Sequence, residues 1–220
     1  TATAKPKGLV EKKTTVSDYL PEEHSRLSSV RLSVVPFDYD GYHINLLDAP
    51  GNDDFIGEAI AAMSVVKGAI LVVDASQGIE AQTLSNLYLA IENNLEIIPV
   101  LNKIDLPGAE PDRIAKQVGD LLGYDPDKIP RISAKSGLNI EQVLDKIVDE
   151  IPAPEGDNEE PLQALIFDSV YDSYRGVINY IRIVQGSIRA GMKIRMMKTG
   201  AEYMVTEVGT FSMQRDPKPE

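Results

Sequence analysis

The 220-residue sequence contains no cysteine and no tryptophan, and it has two histidines, His24 and His43. A disulfide framework, a thiolate metal site, a thiol nucleophile and a multi-histidine centre are therefore excluded, so any bound metal needs oxygen ligands. The sequence also has no run of the roughly 18 apolar residues that a membrane span requires. Its first residues show no apolar run of the signal-peptide type. These absences predict a cytoplasmic protein without stable membrane insertion.

Positive charge is scarce in the first part of the chain, where residues 1–159 carry 27 acidic and 14 basic side chains. Residues 160–220 carry 7 and 8, so the formal net charge of −12 arises before residue 160. Sequence-independent binding to nucleic acid depends on Lys and Arg that neutralise phosphates, so we expect no direct DNA binding. Only the second part is neutral enough to lie against RNA. An acidic surface that merely maintains solubility is the simpler interpretation of the charge.

Short apolar runs alternate with segments of helical period between residues 42 and 151, a pattern typical of an α/β fold with a mostly parallel sheet. A further strand is predicted over residues 29–37, leading into a turn at 38–41. The predicted strands of the sheet cover residues 42–47, 69–73, 96–101 and 130–133, and the predicted helices cover residues 53–66, 84–95, 114–122 and 140–151.

Residues 152–161 predict a linker, because prolines and acidic residues dominate there and no apolar period is visible. We therefore expect a first domain over residues 1–151 and a small antiparallel β domain over residues 162–220. The predicted strands of this β domain cover residues 162–167, 177–184, 192–197 and 202–208. Four or five strands are few for a closed barrel, so we expect an incomplete barrel and a truncated chain.

The motif Asn102-Lys103-Ile104-Asp105 directly follows an apolar run, at the carboxyl end of a predicted strand, where open α/β sheets bind ligands. A carboxylate at Asp105 can accept both the N1 hydrogen and the 2-amino group of guanine. The stem of Lys103 can lie over the base, and Asn102 can fix the loop. A plain polar loop is the alternative for so short a match.

Two further loops follow predicted strands at the same edge of the sheet. In Ser133-Ala134-Lys135 the small Ala134 lets its backbone N–H approach the guanine 6-oxygen, although a helix-capping turn is also possible. In the Asp48–Gly51 loop, Asp48 can hold Mg²⁺ through water and the N–H of Gly51 can reach a phosphate. An ordinary turn is the alternative there.

With these three loops in this order, the chain resembles a translational GTPase. Residues 80–220 are similar to the elongation factor 4 (LepA) family, on GIEAQTLSNLYLAIENNLEIIPVLNKIDLPGAEP and SAKSGLNIEQVLDKIVDEIPAPEGD, whereas residues 14–79 resemble the elongation factor G type. The resemblance implies a P-loop-NTPase-like G domain followed by a β-barrel domain two. It also implies binding of GTP or GDP with Mg²⁺, GTP hydrolysis and the ribosome as partner.

The chain departs from the family pattern in three places. The family's GxxxxGK[ST] phosphate loop has no counterpart, since the sequence contains no Gly-Lys dipeptide, so the G domain is expected to lack its first strand-loop-helix. Asn52 stands where the family has the histidine that positions water, which puts catalysis in doubt. In the first switch, Ser29 replaces the family's metal-binding threonine and Leu27 replaces a glycine.

The combined interpretation is a fragment of a ribosome-associated elongation factor that retains the guanine-reading and switch motifs. Two alternatives stay open: a non-catalytic module that binds the ribosome or a partner without turnover, and an α/β scaffold whose loops are relics. Loss of the central strand would leave the strands at 42–47 and 69–73 either paired directly or with exposed edges. We expect self-association, or a partner that fills this gap.

Overall fold

The computed structural model describes residues 17, 23 and 25 and residues 28–210 of the chain. Two compact units divide the chain, Thr1–Ala153 and Pro154–Glu220. The expectations for His24 and Leu27 lie outside the described residues. No helix in the described part of the chain is long and apolar enough to cross a bilayer.

A β-hairpin opens the described part of the first unit, formed by β1 (Ser33–Tyr39) and β2 (Tyr42–Asp48). The turn consists of Asp40 and Gly41, with φ angles of 47° and 79°. Two positive φ angles are typical of the type I′ turn that suits the twist of paired strands. The predicted strand and turn are confirmed, although β1 begins at residue 33 rather than 29.

The parallel pair of the first unit consists of β3 (Gly68–Asp74) and β4 (Glu96–Asn102), whose last residues pair with each other. The predicted strand at 130–133 is not formed, because this segment makes only one bridge to β4, between Leu101 and Arg131. Pro130 has no N–H to donate, and the chain turns away at Ser133 to bridge with Leu138.

All four predicted helices are present, with shifted ends. They are α1 (Ile56–Met63), α2 (Ala81–Glu92), α3 (Pro111–Leu122) and α4 (Ile140–Glu150). The segment predicted to start α1 forms a 3₁₀ turn at Asp53–Phe55 instead. Pro111 occupies the first turn of α3, where a missing N–H costs nothing, and Gly123 ends the helix with a φ of 66°.

The core of the first unit lies on both faces of β4. On one face Ile98 and Val100 pack with Val143 of α4, and on the other face Leu101 packs with Ile114 and Val118 of α3. A strand buried on both sides has to be apolar throughout, which accounts for the uninterrupted run at residues 97–101. This packing fixes the position of the loop that follows β4.

The predicted mostly parallel sheet is interrupted between β2 and β3. In the described residues the hairpin β1–β2 and the pair β3–β4 are two separate two-stranded sheets. Val72, an apolar residue on β3, is 54% exposed. Of the two arrangements expected for these strands, direct pairing is absent from the described part.

The second unit contains two antiparallel hairpins, and its four predicted strands are confirmed. The strands are β5 (Gln163–Asp172), β6 (Gly176–Gln185), β7 (Lys193–Arg195) and β8 (Glu202–Met204). β5 pairs with β6 and β7 pairs with β8. Every buried hydrophobic side chain of the described residues belongs to the first unit.

Candidate nucleotide-binding site

The carboxyl ends of β3 and β4 lie side by side, because the parallel register pairs Asp74 with Asn102. The segment that leads to Ser133 runs next to β4, with the N–H of Ile132 donating to the carbonyl of Leu101 at 2.7 Å. Two of the predicted loops therefore start at the same edge. The structure brings together six of the predicted site residues there, namely Asn102, Lys103, Asp105, Ser133, Ala134 and Lys135.

Asn102 joins the two loops through its side-chain oxygen. Its Oδ1 accepts hydrogen bonds from the N–H of Lys103 at 2.7 Å and from the N–H of Ala134 at 3.0 Å. Lys103 has a φ of 63°, so its backbone turns sharply immediately after the strand. We expected the Ala134 N–H to face the guanine 6-oxygen, but it donates to Asn102. A nucleotide would have to share this donor.

Asp105 is exposed at this edge, and Ser133 is completely buried beneath it. A hydrogen bond from the Ser133 hydroxyl, together with the positive charge of Lys135, lowers the pKa of the Asp105 carboxyl from its ordinary value. The carboxylate is thus kept ionised and oriented while it stays accessible to solvent. It can accept two hydrogen bonds from a planar ligand that presents adjacent N–H groups.

Asp74 also belongs to this edge, although sequence reasoning did not find it. Its Oδ2 lies 2.6 Å from the Nζ of Lys103, and its Oδ1 accepts hydrogen bonds from the N–H and hydroxyl of Ser76 at 2.7 and 2.6 Å. Burial alone raises the pKa of Asp74, but the hydrogen bonds from Lys103 and Ser76 hold it well below its usual range. Its position at the end of an apolar strand was the available signal.

The predicted phosphate and metal residues belong to the hairpin and the segments that flank it: Asp48 ends β2, Gly51 follows β2, and Ser29 precedes β1. Asp48 and Ser29 are half-buried, and Gly51 is exposed with nothing within 4 Å of the place a Cβ would take. Next to Ser29 the backbone is held by two carboxylates: Glu23 accepts from the N–H of Val30 at 3.1 Å, and Glu58 of α1 accepts from the N–H of residue 32 at 2.9 Å.

Asn52 has a local structural role in the described chain. Its Oδ1 accepts a hydrogen bond from the N–H of Asp54 at 3.0 Å, and its carbonyl accepts one from the N–H of Phe55 at 2.9 Å. The residue therefore caps the short turn before α1. Sequence reasoning gave Asn52 only the position of a catalytic histidine and did not anticipate this capping.

The residues around Asp48 fit Mg²⁺ only as part of a larger ligand set. No group of three or more His, Cys, Asp or Glu side chains in the described residues is placed to hold a metal ion. Asp48 and Ser29 offer two oxygen donors. This fits Mg²⁺, which usually takes one or two protein oxygens together with waters and substrate phosphates.

The geometry agrees with the comparison against protein families, in which residues 1–153 match the elongation factor Tu GTP binding domain. The chain belongs to this family. Members share the α/β G-domain fold of translational GTPases, so the predicted resemblance and fold class are confirmed at that level.

Curated relatives of this family member carry the name elongation factor 4. The protein from Bacillus licheniformis is 54% identical over 195 residues, which are 89% of this chain and 32% of the relative. The protein from Bacillus cereus B4264 is 50% identical over 215 residues, which are 96% and 35%. The alignments thus extend beyond residues 80–220, into the part that resembles elongation factor G. The chain spans about a third of the length of these relatives.

Solved structures with the same fold include a protein from Thermus thermophilus with a TM-score of 0.72 and 19% identity, covering 93% of this chain and 44% of that one. Another is the elongation factor SelB from Methanococcus maripaludis, solved in complex with the GTP analogue GppNHp. Its TM-score is 0.67 at 21% identity, over 79% of this chain and 40% of that one. At these identities the likeness shows the fold alone.

Proposed function

We propose that the chain is the guanine-reading part of a ribosome-associated elongation factor of the elongation factor 4 type. The carrying observation is the exposed Asp105 carboxylate, oriented by the buried Ser133 beside the loop that Asn102 braces. Half of the sequence is shared with elongation factor 4 relatives, which supports translation in the cytoplasm as the setting. The ribosome as partner rests on the same similarity.

The edge formed by the carboxyl ends of β3 and β4 would recognise guanine through hydrogen bonds in the plane of the base. Asp105 would accept from N1 and from the 2-amino group, which adenine cannot offer. The methylene stem of Lys103 would cover one face of the base, and the loop from Ser133 to Lys135 would lie near the 6-oxygen. Burial of one base face and a paired, charge-assisted hydrogen bond together favour guanine over adenine.

We propose that Asp48, Gly51 and Ser29 would contact the phosphates and Mg²⁺ of GTP or GDP. The bound ion would neutralise phosphate charge. Because the sequence contains no Gly-Lys dipeptide of a phosphate loop, the chain has few groups of its own to orient the γ-phosphate. Asn52, engaged as a cap, does not replace a histidine. Little GTP hydrolysis by this chain is expected.

The base assignment is tested by Asp105→Asn, which replaces one acceptor with a donor that suits the 2-oxo group of xanthine. Titration with fluorescent GDP and with its xanthine counterpart should show that preference moves from guanine to xanthine. Asp120→Asn, an exposed change on α3 with the same loss of charge, should keep the guanine preference. An unchanged ratio in Asp105→Asn would contradict the assignment, and absence of binding to the unmodified chain would favour the non-catalytic module.

For the domains, we propose a G domain over residues 1–151 that lacks its first strand-loop-helix, a linker over 152–161 and an incomplete barrel of domain-two type over 162–220. The interruption between β2 and β3 supports a missing central strand. We further propose that a second copy or a partner fills this gap. Sedimentation should show concentration-dependent association. A monomer with exchange-protected amides on both strand edges would contradict this proposal.

A further inference from the structure

The ion pair between Asp74 and Lys103 crosses the edge of the parallel sheet. The two residues belong to neighbouring strand ends, and their charged atoms lie 2.6 Å apart. Lys103 emerges from β4 with a φ of 63°, a conformation that favours glycine and that a lysine adopts only when its surroundings impose it. The lysine is thus bent towards β3.

Asp74 is the fixed partner of this pair. Its side chain is 15% exposed, whereas that of Lys103 is 53% exposed, and its second carboxylate oxygen is occupied by the N–H and the hydroxyl of Ser76. The carboxylate therefore has a single orientation, and the long lysine side chain adapts to it. With the ammonium group held by Asp74 at the end of β3, the methylene stem of Lys103 spans from the end of β4 to the end of β3.

We propose that Asp74 is a positioning residue for guanine binding, which holds the stem of Lys103 in place to cover the base. This inference deepens the proposed function and rests on it. A lysine with a free ammonium group samples many rotamers and loses them when a ligand binds, whereas a lysine held by Asp74 has lost them already. The gain is preorganisation, and no direct contact between Asp74 and nucleotide is needed.

The central variant is Asp74→Asn, which keeps the shape and an acceptor for Ser76 but removes the charge that holds Lys103. We expect the Kd for fluorescent GDP to rise about 5- to 10-fold, which corresponds to a partly buried ion pair. Asp112→Asn is the matched control, because it removes the carboxylate of another ion pair in the same unit, Asp112–Arg131 at 2.5 Å. Its Kd should remain unchanged.

A double-mutant cycle separates positioning from a general structural role. Lys103→Met keeps most of the stem and loses the ammonium group, so it should weaken binding about as much as Asp74→Asn. In the Lys103→Met background, Asp74→Asn should cause no further loss, because Asp74 acts through Lys103. An equal loss in both backgrounds, or no loss in either, would overturn the proposal.

A second measurement does not need nucleotide. Acetylation of lysines, read by mass spectrometry, should be slow at Lys103 in the unmodified chain and faster in Asp74→Asn, with Lys116 and Lys135 unchanged. Rapid acetylation of Lys103 in the unmodified chain would show that the ion pair does not persist in solution, and this result would overturn the proposal. If Lys103 is protected but the chain binds no guanine nucleotide, then the proposed function fails, the positioning role fails with it, and the pair is a structural contact.

Discussion

Asn102 connects two loops across 32 residues of sequence, because its Oδ1 accepts hydrogen bonds from the N–H groups of Lys103 and Ala134. In Asn102→Ala two hydrogen bonds on the exposed side of the sheet edge are lost. Each is worth about 0.5–1.5 kcal/mol, so the free energy of unfolding should fall by about 1–3 kcal/mol. Chemical denaturation should show this loss, whereas Asn45→Ala, an exposed change in β2, should stay within about 0.5 kcal/mol. Equal stabilities for the two variants would contradict the bracing role.

Tyr39 provides a pH-dependent contact between the hairpin and α4. A hydrogen bond from its hydroxyl to Asp145, at 2.6 Å, raises the pKa of Tyr39 to about 12. Since the folded pKa lies above the ordinary value of 10, the stabilisation is complete below pH 10 and is lost as the pH rises towards 12.

Tyr39→Phe should therefore unfold more easily than the unmodified chain at neutral pH, and this difference should shrink between pH 10 and 12. Unfolding midpoints measured across that range test the prediction. Spectrophotometric titration offers a second measurement, because the variant should lose one tyrosine that titrates above the ordinary pH range. A stability difference that is constant up to pH 12 would contradict the assigned cause.

The site residues could be predicted from sequence where strand-end position and side-chain chemistry point the same way. Asn102, Asp105 and Ser133 follow apolar segments, and in the structure they meet at one edge. Asp74 was missed because its role depends on the register that places it beside Asn102, and a register cannot be deduced from a single strand. Nor could the sequence indicate that the side chain of Asn102 would accept a hydrogen bond from the N–H of Ala134.

At the scale of elements, α3 holds a glycine that has no room for a side chain. A Cβ at Gly119 would lie 2.6 Å from the carbonyl oxygen of Tyr124 and 2.7 Å from Cγ of Pro126. Gly119→Ala should gain about 1 kcal/mol in helix propensity. Overpacking against the backbone should cost about 1–3 kcal/mol, so the net effect is destabilising or at best neutral.

Gly57 in α1 is the matched control, since nothing lies within 4 Å of the place its Cβ would take. Gly57→Ala should raise the free energy of unfolding by up to about 1 kcal/mol. Thermal denaturation of the two variants should thus give Tm values on opposite sides of that of the unmodified chain, or unchanged for Gly119→Ala. A clear stabilisation by Gly119→Ala would contradict this prediction, because it would show that the loop after α3 can move to make room for the added methyl group.

Helices were easier to predict than strands in this chain. The apolar period identified all four helices, and errors were limited to ends such as Pro111, where local chemistry sets the start. The segment 130–133 has the composition of a strand, yet its proline and the early turn at Ser133 allow only one bridge to β4. Composition indicates a preference for extended backbone, whereas a strand also needs donors facing acceptors on its neighbour.

At the scale of the whole chain, buried hydrophobic side chains are confined to the first unit within the described residues. Isolated two-stranded hairpins are marginally stable in water, so β5–β6 and β7–β8 should open far more often than β3–β4. Hydrogen exchange followed by mass spectrometry should show rapid exchange over residues 163–204 and slow exchange over residues 96–102. Comparable protection in both regions would contradict this prediction.

The burial of β4 on both of its faces also determines which amino-acid substitutions the chain can tolerate. In a library of random point substitutions, polar replacements at Ile98, Val100 and Leu101 should disappear when folded molecules are selected, because each would place an unpaired polar group in one of the two cores. Replacements along β5 and β6 should survive in large numbers. The fraction of tolerated substitutions would then be low in β4 of the first unit and high in β5 and β6 of the second unit.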